Sequence, residues 1–320
     1  MAGLGDPKWD KLNKGFVRGA SNFQNWITPD TDFPPERGRY HLYVNYTCGW
    51  CHRVLMVHAL KQLDGIVSWS LTSNKMIRGP GGIGGEGYKG WAFNDQHPDP
   101  INGATCTLEV YRQNNPEYPN KQLSVPILFD RKRNVVVSND NIQICFILNS
   151  AFASLAPPTP DLYPEKLQDA IEAQNEYIYP NINNGVYRVG MGKAENRAEA
   201  LADLFGALEQ VEAVVSRQPF LCGDDLTLAD VRAFPHLFRF DTCYYTAFGC
   251  STRTLASHPG LSAYVRRLYE HPGVAQTCDL WMACLGYHGG GVGKPENEAA
   301  ASAAYARLKH DYIVETKPAA

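Results

Sequence analysis

The pattern of hydrophobic and polar residues in the first half of the chain predicts a β-α-β unit. Aromatic and β-branched residues fill positions 40–46 (YHLYVNY), a composition typical of a strand. Apolar residues then recur at helical spacing over residues 50–63, and Gly65 ends that pattern. A second strand is predicted over residues 66–71, so the three elements together have the usual length of such a unit.

The part of the chain that follows is less regular. Residues 72–120 show little periodicity and include the glycine-rich run GPGGIGGEGYKG. This run lacks the Gly-Lys-Ser/Thr ending of a phosphate-binding loop, and we predict a mobile loop there. A hairpin is predicted over residues 125–129 and 134–137, and a helix over residues 138–148. The order of these elements predicts an α/β domain over residues 40–150.

The second half of the chain has helical periodicity. Residues 150–162 are rich in alanine, proline and serine, and their prolines break any helix, so we place a domain boundary there. An all-helical domain is predicted over residues 160–288, in which Thr227 and Asp230 have the spacing of a capping box. We predict an arm on the surface for residues 1–39. For residues 289–320 we predict a tail that contains a short alanine-rich helix at 296–309.

Composition narrows the classes of protein that fit this pattern. The 320 residues are 44% hydrophobic, which is enough for one large or two medium-sized cores. A formal net charge of −3 argues against nucleic-acid binding, and no apolar run approaches the ~20 residues that cross a membrane. The opening MAGLGDPKWDKLNKG lacks the apolar core of a signal peptide, so we expect a cytoplasmic location.

The cysteines carry the strongest chemical signal. There are nine, at irregular spacing, which favours a reducing compartment over a disulfide-stapled scaffold. Cys48 directly follows the first predicted strand and begins the helix, where unpaired amides and the helix dipole favour a thiolate. Such a thiolate is a nucleophile for disulfide exchange or for attack on a thioether. Cys51 lies one helical turn later.

The run Cys-Gly-Trp-Cys-His has other interpretations. Covalent haem attachment uses the same short pattern, but it needs export and an axial ligand. A zinc site would need a second pair of similar spacing, which the other seven cysteines do not form. The two cysteines could also be small buried residues. The flanking β-α-β pattern favours a thiol-transfer or redox site, and we expect neither a metal nor haem.

Several segments, in this order along the chain, carry a more specific signal. They are FVRGASNFQNWIT, GRYHLYVNYTCGWCHR, GWAF, SVPILFD, VSNDN, LYPEKLQDAIEAQNEYIYPNINNGVYRVG, FLCGDDLTLADVRAF and RFDTCYY. Together they resemble the glutathionyl-hydroquinone reductases, which are the xi-class glutathione transferases. The resemblance extends over roughly residues 15–288. It implies a thioredoxin-like N-terminal domain followed by an all-helical glutathione-transferase C-terminal domain.

The resemblance also implies an activity and its chemical groups. The expected reaction is the glutathione-dependent reduction of glutathionyl-hydroquinones by a homodimer in the cytoplasm. Cys48 matches the catalytic cysteine, which forms a mixed disulfide with glutathione. Tyr187, Tyr244 and Tyr287 match the tyrosines that line the aromatic substrate pocket, with Tyr187 and Tyr287 acting on the ring hydroxyls.

Five further residues match the glutathione-binding positions of the family. Trp91 matches a tryptophan that lines the glutathione site, and Pro126 matches a cis-proline that turns the backbone of Val125 toward the cysteinyl part. Asp140 and Asn141 stand where the family usually has Glu-Ser, and they keep a carboxylate and a polar donor for the γ-glutamyl end. From the residues alone, Asp140 is a helix cap and Pro126 an ordinary proline at a strand entry.

The sequence departs from the family pattern beside the catalytic cysteine. Gly49 and Cys51 replace the usual proline and alanine. Cys51 could therefore attack the mixed disulfide and close a bond to Cys48, as a resolving cysteine. The alternative is that Cys51 is only a buried residue in the first turn of the helix.

Other departures lie at the predicted edges of the site. An arginine that precedes the Val-Pro strand in the family is missing, with Lys121 and Gln122 nearby. Cys284 and His288 replace a basic residue and a second tyrosine near the aromatic pocket, and the tail does not match. The same scaffold would also suit an omega-like thiol transferase or dehydroascorbate reductase, a reductive dehalogenase, or a non-catalytic ligand-binding module.

Overall fold

The computed structural model describes residues 21–119, 122–289 and 295–313. These residues fall into two compact units, the first ending at Asp161 and the second beginning at Leu162. Residues 1–20 of the predicted arm, Lys121, and residues 290–294 and 314–320 of the predicted tail lie outside the described residues. In the described part of the chain, no helix is long and apolar enough to cross a membrane.

In its described residues, the first unit contains six strands and three helices. The strands are β1 (Tyr40–Val44), β2 (Val67–Leu71), β3 (Met76–Ile77), β4 (Gly90–Trp91), β5 (Ile127–Asp130) and β6 (Val135–Ser138). The helices are α1 (Gly49–Leu60), α2 (Thr107–Arg112) and α3 (Asn141–Ser150).

A four-stranded mixed sheet organises this unit. Its order is β2-β1-β5-β6, with β1 parallel to β2 and antiparallel to β5. All five residues of β1 are buried, because the strand lies inside the sheet. Helices α1 and α3 pack against each other. The predicted β-α-β unit, hairpin and following helix are confirmed, with ends shifted by a few residues.

The irregular stretch at residues 72–120 contains short regular elements. Strands β3 and β4 pair as a small antiparallel sheet, and α2 follows them. Gly90 has a φ of +77°, and a Cβ there would lie 2.1 Å from Thr107 Oγ1, so only glycine fits. These strands were not predicted, because two residues are too short to show an alternating pattern, whereas the glycine-rich run between them consists of turns.

The second unit is all-helical, as predicted. Its helices are α4 (Gln168–Ile178), α5 (Gly185–Met191), α6 (Arg197–Val215), α7 (Leu228–Phe238), α8 (Pro259–Glu270), α9 (Leu280–Gly289) and α10 (Pro295–Leu308). Two π-helical turns, Tyr179–Asn183 and Phe240–Tyr245, interrupt the series. Helix α10 corresponds to the alanine-rich helix predicted in the tail, and it packs against α9.

The predicted capping box begins α7. Thr227 Oγ1 accepts a hydrogen bond from the Ala229 amide at 3.3 Å, and Asp230 Oδ2 accepts one from the Thr227 amide at 2.9 Å. Asp230 is fully buried and also accepts from the Leu221 amide and the Tyr264 hydroxyl. One carboxylate therefore joins the start of α7 to a preceding loop and to α8.

A buried histidine in the sheet makes stability depend on pH. His41 in β1 is 2% exposed, and its two ring nitrogens lie 2.8 Å from the hydroxyls of Ser68 and Ser70 on β2. Burial lowers the pKa of His41 to about 4. An unfolded histidine titrates near 6.5, so the stability present above that pH is lost as the pH falls toward 4.

We therefore compare the unfolding free energy at pH 7 and at pH 5. On going to pH 5, it should fall by about 2 kcal/mol more in the wild-type protein than in His41→Gln. The measurement is urea unfolding at both pH values. His271→Gln, at the end of α8, serves as the control and should keep the wild-type slope. A wild-type pH dependence in His41→Gln would contradict the assignment.

Candidate functional site

Cys48 occupies the turn between β1 and α1. It is the N-cap of α1, with extended backbone angles (φ −83°, ψ 111°), and it is half-buried. Its Sγ accepts a hydrogen bond from the Cys51 amide at 3.3 Å and lies 3.6 Å from the Val125 carbonyl oxygen. The first amides of a helix lack acceptors within the helix, so this position favours a negatively charged sulfur.

Buried side chains hold the turn that precedes Cys48. Asn45 Nδ2 donates to Thr72 Oγ1 at 2.9 Å and to the Ser73 carbonyl at 3.0 Å, and its Oδ1 accepts from the Thr47 amide at 2.7 Å. These contacts join the ends of β1 and β2, which lie side by side in the sheet. The sulfur of Cys48 is thus positioned by a fully bonded buried network.

The backbone of Val125 borders the same site. The Val125–Pro126 peptide bond is cis, as the resemblance implied. The Val125 carbonyl faces Cys48 Sγ, and both Val125 and Pro126 are buried. A thiol compound bound at Cys48 would therefore meet the polar backbone of this segment.

Asp140 is the N-cap of α3, as its position in the sequence alone predicts. Its Oδ1 accepts from the amides of Ile142 and Gln143 at 2.9 and 3.1 Å. Its Oδ2 accepts from Gln24 Nε2 at 3.4 Å, which is a longer contact. The carboxylate is 4% exposed, and one of its oxygens is committed to the helix.

Arg53 contacts a predicted site residue, Asn141, and the sequence pattern alone did not identify it. It is fully buried, its guanidinium lies 4.3 Å from the centre of the Trp50 ring, and its Nη1 donates to Asn141 Oδ1 at 3.2 Å. A buried cation needs a partner. The arginine within the apolar run CHRVLMV of α1 was the feature of the sequence that could have indicated such a contact. The contact places a positive charge at the start of α3.

Trp91 lies in β4 and is half-buried. Its amide donates to Thr107 Oγ1 at 3.1 Å, and the carbonyl of the following residue, Ala92, accepts from the Ser73 amide at 2.9 Å. Because Ser73 also accepts from Asn45, β4 belongs to the network that holds the Cys48 turn. Its contact with a ligand stays a prediction.

The three predicted pocket tyrosines meet within the second unit. Tyr187 comes from α5, Tyr244 from the second π-helical turn and Tyr287 from α9. The Tyr287 hydroxyl lies 2.7 Å from that of Tyr187 and 3.1 Å from that of Tyr244. We call these residues the tyrosine cluster. Burial raises the pKa of Tyr244 and of Tyr287 well above 10, so both keep their protons at neutral pH.

Two residues that the sequence pattern did not identify, Phe248 and His236, pack against the tyrosine cluster. The Phe248 ring centre lies 5.4 Å from those of Tyr187 and Tyr287 and 5.7 Å from that of Tyr244. His236 stacks on Tyr244 with ring centres 5.9 Å apart. The cluster therefore presents aromatic faces together with phenolic hydroxyls, a combination that suits a hydroxylated ring.

All nine cysteines are free thiols, and they differ in exposure. Cys48, Cys222 and Cys278 are half-buried, whereas Cys51 is fully buried. Burial raises the pKa of Cys222 to about 11 and that of Cys278 to about 12. Among the described residues, no group of three or more metal-ligating side chains comes together.

Comparison with known proteins places the chain among glutathione transferases. Residues 194–267 match the family model of the glutathione S-transferase C-terminal domain. The chain is 37% identical to glutathionyl-hydroquinone reductase PcpF of Sphingobium chlorophenolicum, over 89% of this chain and 88% of PcpF. It is 34% identical to glutathione S-transferase omega-like 2 of Schizosaccharomyces pombe, over 85% and 88%.

Solved structures of glutathione transferases also resemble this chain in fold. The xi glutathione transferase of Phanerochaete chrysosporium superposes with a TM-score of 0.78 at 35% identity, covering 85% of this chain and 92% of that one. The glutathione-bound structure of YqjG, a glutathione transferase homologue from Escherichia coli, has a TM-score of 0.77 at 32% identity, covering 83% and 87%.

The geometry of the cysteines predicts which one reacts first. We expect substoichiometric iodoacetamide at neutral pH to alkylate Cys48 at least about tenfold faster than Cys222 or Cys278, whose raised pKa values keep them as thiols. Peptide mass spectrometry over a time course measures the order. Labelling in urea is the control and should remove the preference, while modification of Cys222 before Cys48 would contradict the prediction.

Proposed function

Because the chain belongs to the xi-class glutathione transferases, the family of the glutathionyl-hydroquinone reductases, we propose that it reduces glutathionyl-hydroquinones to hydroquinones with glutathione. The observation that carries the proposal is the position of Cys48. A half-buried sulfur that accepts a helix amide is a stabilised nucleophile, and disulfide exchange needs such a sulfur.

The proposed reaction has two steps. The Cys48 thiolate attacks the sulfur of the conjugate, forming a sulfur–sulfur bond and breaking the bond from that sulfur to the ring. The electron pair of the broken bond stays on the ring carbon, which takes a proton and leaves as the hydroquinone. A second glutathione then attacks the Cys48 mixed disulfide, which yields oxidised glutathione and restores the thiolate.

The tyrosine cluster is proposed to receive the hydroquinone ring. We assign Tyr187 and Tyr287 to the ring hydroxyls, where a phenol donates to oxygen as negative charge develops on the departing ring. Tyr244 lines the same pocket. The short hydroxyl contacts within the cluster and the raised pKa values of Tyr244 and Tyr287 support this role, since protonated phenols are hydrogen-bond donors.

Residues of the first unit are proposed to bind glutathione. The Val125 backbone bonds the cysteinyl part, and Trp91 lines the site. Asp140 bonds the γ-glutamyl ammonium through Oδ2, because Oδ1 is committed to the cap of α3. Arg53 holds Oδ1 of Asn141, so the amide Nδ2 of Asn141 is the group that we assign to the γ-glutamyl carboxylate.

A second candidate activity is thiol transfer, with dehydroascorbate or a mixed disulfide as substrate. Its specific support is the 34% identity to the relative named omega-like. The same Cys48 chemistry would serve both reactions, and a non-catalytic module would need none of it. We further propose that the protein acts as a homodimer in the cytoplasm, where nine free thiols stay reduced.

The decisive test is Cys48→Ser. We expect it to lower kcat/KM for a glutathionyl-hydroquinone at least about 1,000-fold, because the nucleophile is lost. Steady-state hydroquinone formation is the measurement, and Cys51→Ser is the matched control, expected to keep most of the turnover. Higher activity with dehydroascorbate or a chloronitrobenzene would overturn the proposed substrate, and turnover by Cys48→Ser would overturn the mechanism.

The Cys51→Ser variant also tests the role of Cys51. We expect wild-type protein incubated with oxidised glutathione to carry one glutathione adduct, on Cys48, by mass spectrometry. Loss of two hydrogens across Cys48 and Cys51, absent in Cys51→Ser, would instead identify Cys51 as the resolving thiol.

Two substitutions separate the roles of Asp140. Asparagine caps a helix as well as aspartate does, so Asp140→Asn should keep the thermal stability, whereas Asp140→Ala should lose about 1 kcal/mol. Both remove the charge that meets the ammonium, and both should raise the KM for glutathione about tenfold. An unchanged KM in Asp140→Asn would leave Asp140 as a helix cap only.

A further inference from the structure

A second pair of thiols lies buried in the second unit. Cys243 belongs to the π-helical turn Phe240–Tyr245 and Cys284 to α9, and neither has exposed surface. The π-helical turn packs against α9, which brings the two side chains into the same part of the unit. Both sulfurs also lie beside Thr242, at 3.7 Å from its Oγ1 for Cys243 and 3.7 Å from its carbonyl oxygen for Cys284. The mechanism proposed above uses neither thiol.

The two thiols are chemically unequal. Burial alone would raise the pKa of Cys243, but the neighbouring Cys284 thiol and the charge of Arg239 bring it below the ordinary thiol value. Arg239 is itself fully buried. The pKa of Cys284 is raised by the neighbouring Cys243 and by burial, and its sulfur lies 3.4 Å from the Ala301 carbonyl of α10. One member of the pair is suited to be a nucleophile and the other to carry a proton.

We propose that Cys243 and Cys284 form an intramolecular redox site that closes to a disulfide when hydrogen peroxide enters. The Cys243 sulfur attacks one peroxide oxygen, the oxygen–oxygen bond breaks, and the other oxygen leaves as water. The resulting sulfenic acid is attacked by the Cys284 sulfur, the disulfide forms, and a second water leaves. In total, two thiols lose two hydrogens and one hydrogen peroxide becomes two waters.

The burial of both sulfurs limits which oxidant can reach them and how the disulfide can be reduced again. With both sulfurs fully enclosed, a small hydroperoxide is favoured over a bulky disulfide as the oxidant. A thiol such as glutathione reverses the bond by two exchange steps, once the segment opens. Helix α10 covers Cys284 through the Ala301 contact, so opening of α10 is the step that admits either reagent.

The redox site adjoins the tyrosine cluster. Tyr244 directly follows Cys243, and Tyr287 lies about one helical turn after Cys284. A disulfide holds its sulfurs about 2.05 Å apart, much closer than a hydrogen bond between thiols. Closing it would draw α9 toward the π-helical turn and change the 3.1 Å contact between the two tyrosine hydroxyls. If the proposed function holds, oxidation therefore alters binding of the aromatic substrate.

The first experiment detects the bond without any assay of activity. Full-length wild-type protein is treated with hydrogen peroxide, blocked with N-ethylmaleimide in denaturant, and digested without reduction. Mass spectrometry should find a Cys243–Cys284 cross-linked peptide that dithiothreitol removes. Cys250→Ser, which changes another buried cysteine of this unit, should keep the cross-link, and Cys284→Ser should not form it. Recovery of both cysteines as maleimide adducts while Cys48 is oxidised would overturn the proposal.

The second experiment measures coupling to turnover. Oxidised wild-type protein should show an initial kcat/KM roughly 10- to 100-fold lower, measured once glutathione has restored the exposed Cys48 and before it reduces the buried disulfide, and dithiothreitol should restore the full value. Cys284→Ser, treated in parallel, should keep its activity. A cross-link without any change in kcat/KM would overturn the coupling, and absence of turnover in reduced wild type would overturn the proposed function while the cross-link result stands.

Discussion

The first amides of α1 have no acceptor within the helix, and the structure of the site follows from how one of them is satisfied. The Cys51 amide bonds to the Cys48 sulfur, where most helices would use an oxygen. This single contact begins the helix, orients the sulfur and favours its anionic form. Asn45 holds the turn on one side and the Val125 backbone borders it on the other, so the reactive atom is fixed from both directions.

The second unit reaches its geometry by a different principle. Its tyrosines come from α5, a π-helical turn and α9, and no local motif brings them together. Their arrangement depends on how the helices pack. Buried residues such as Asp230 hold that packing, since its one carboxylate joins a loop, α7 and α8. The first unit therefore offers a polar, amide-lined thiol site, and the second an aromatic cluster with phenol donors. If the proposed function holds, the first serves the glutathione part of the conjugate and the second its ring.

The elements with strong local signals were predictable from the sequence. The aromatic run of β1, the helical period of α1 and the Thr227–Asp230 capping box all appear where they were expected. Strands β3 and β4 were missed because two residues give no period, and Arg53 was missed because its partner, Asn141, lies 88 residues away. Phe248 joins the tyrosine cluster only after the helices pack. Contacts between distant residues thus set the limit of prediction, whereas the reactive cysteine is marked by its neighbours along the chain.

The buried Arg53 has a consequence for protein engineering. The hexapeptide Cys48–Arg53 looks like a portable motif, but its arginine lies between the Trp50 ring and the side chain of Asn141. Transplanted alone onto another βα turn, the motif would carry a guanidinium into an apolar helix face with no amide to receive it. The transferable part is therefore discontinuous: the peptide together with the first residue of a second helix. A substitution at position 141 would likewise need a compensating change at position 53, because it removes the partner of the buried guanidinium.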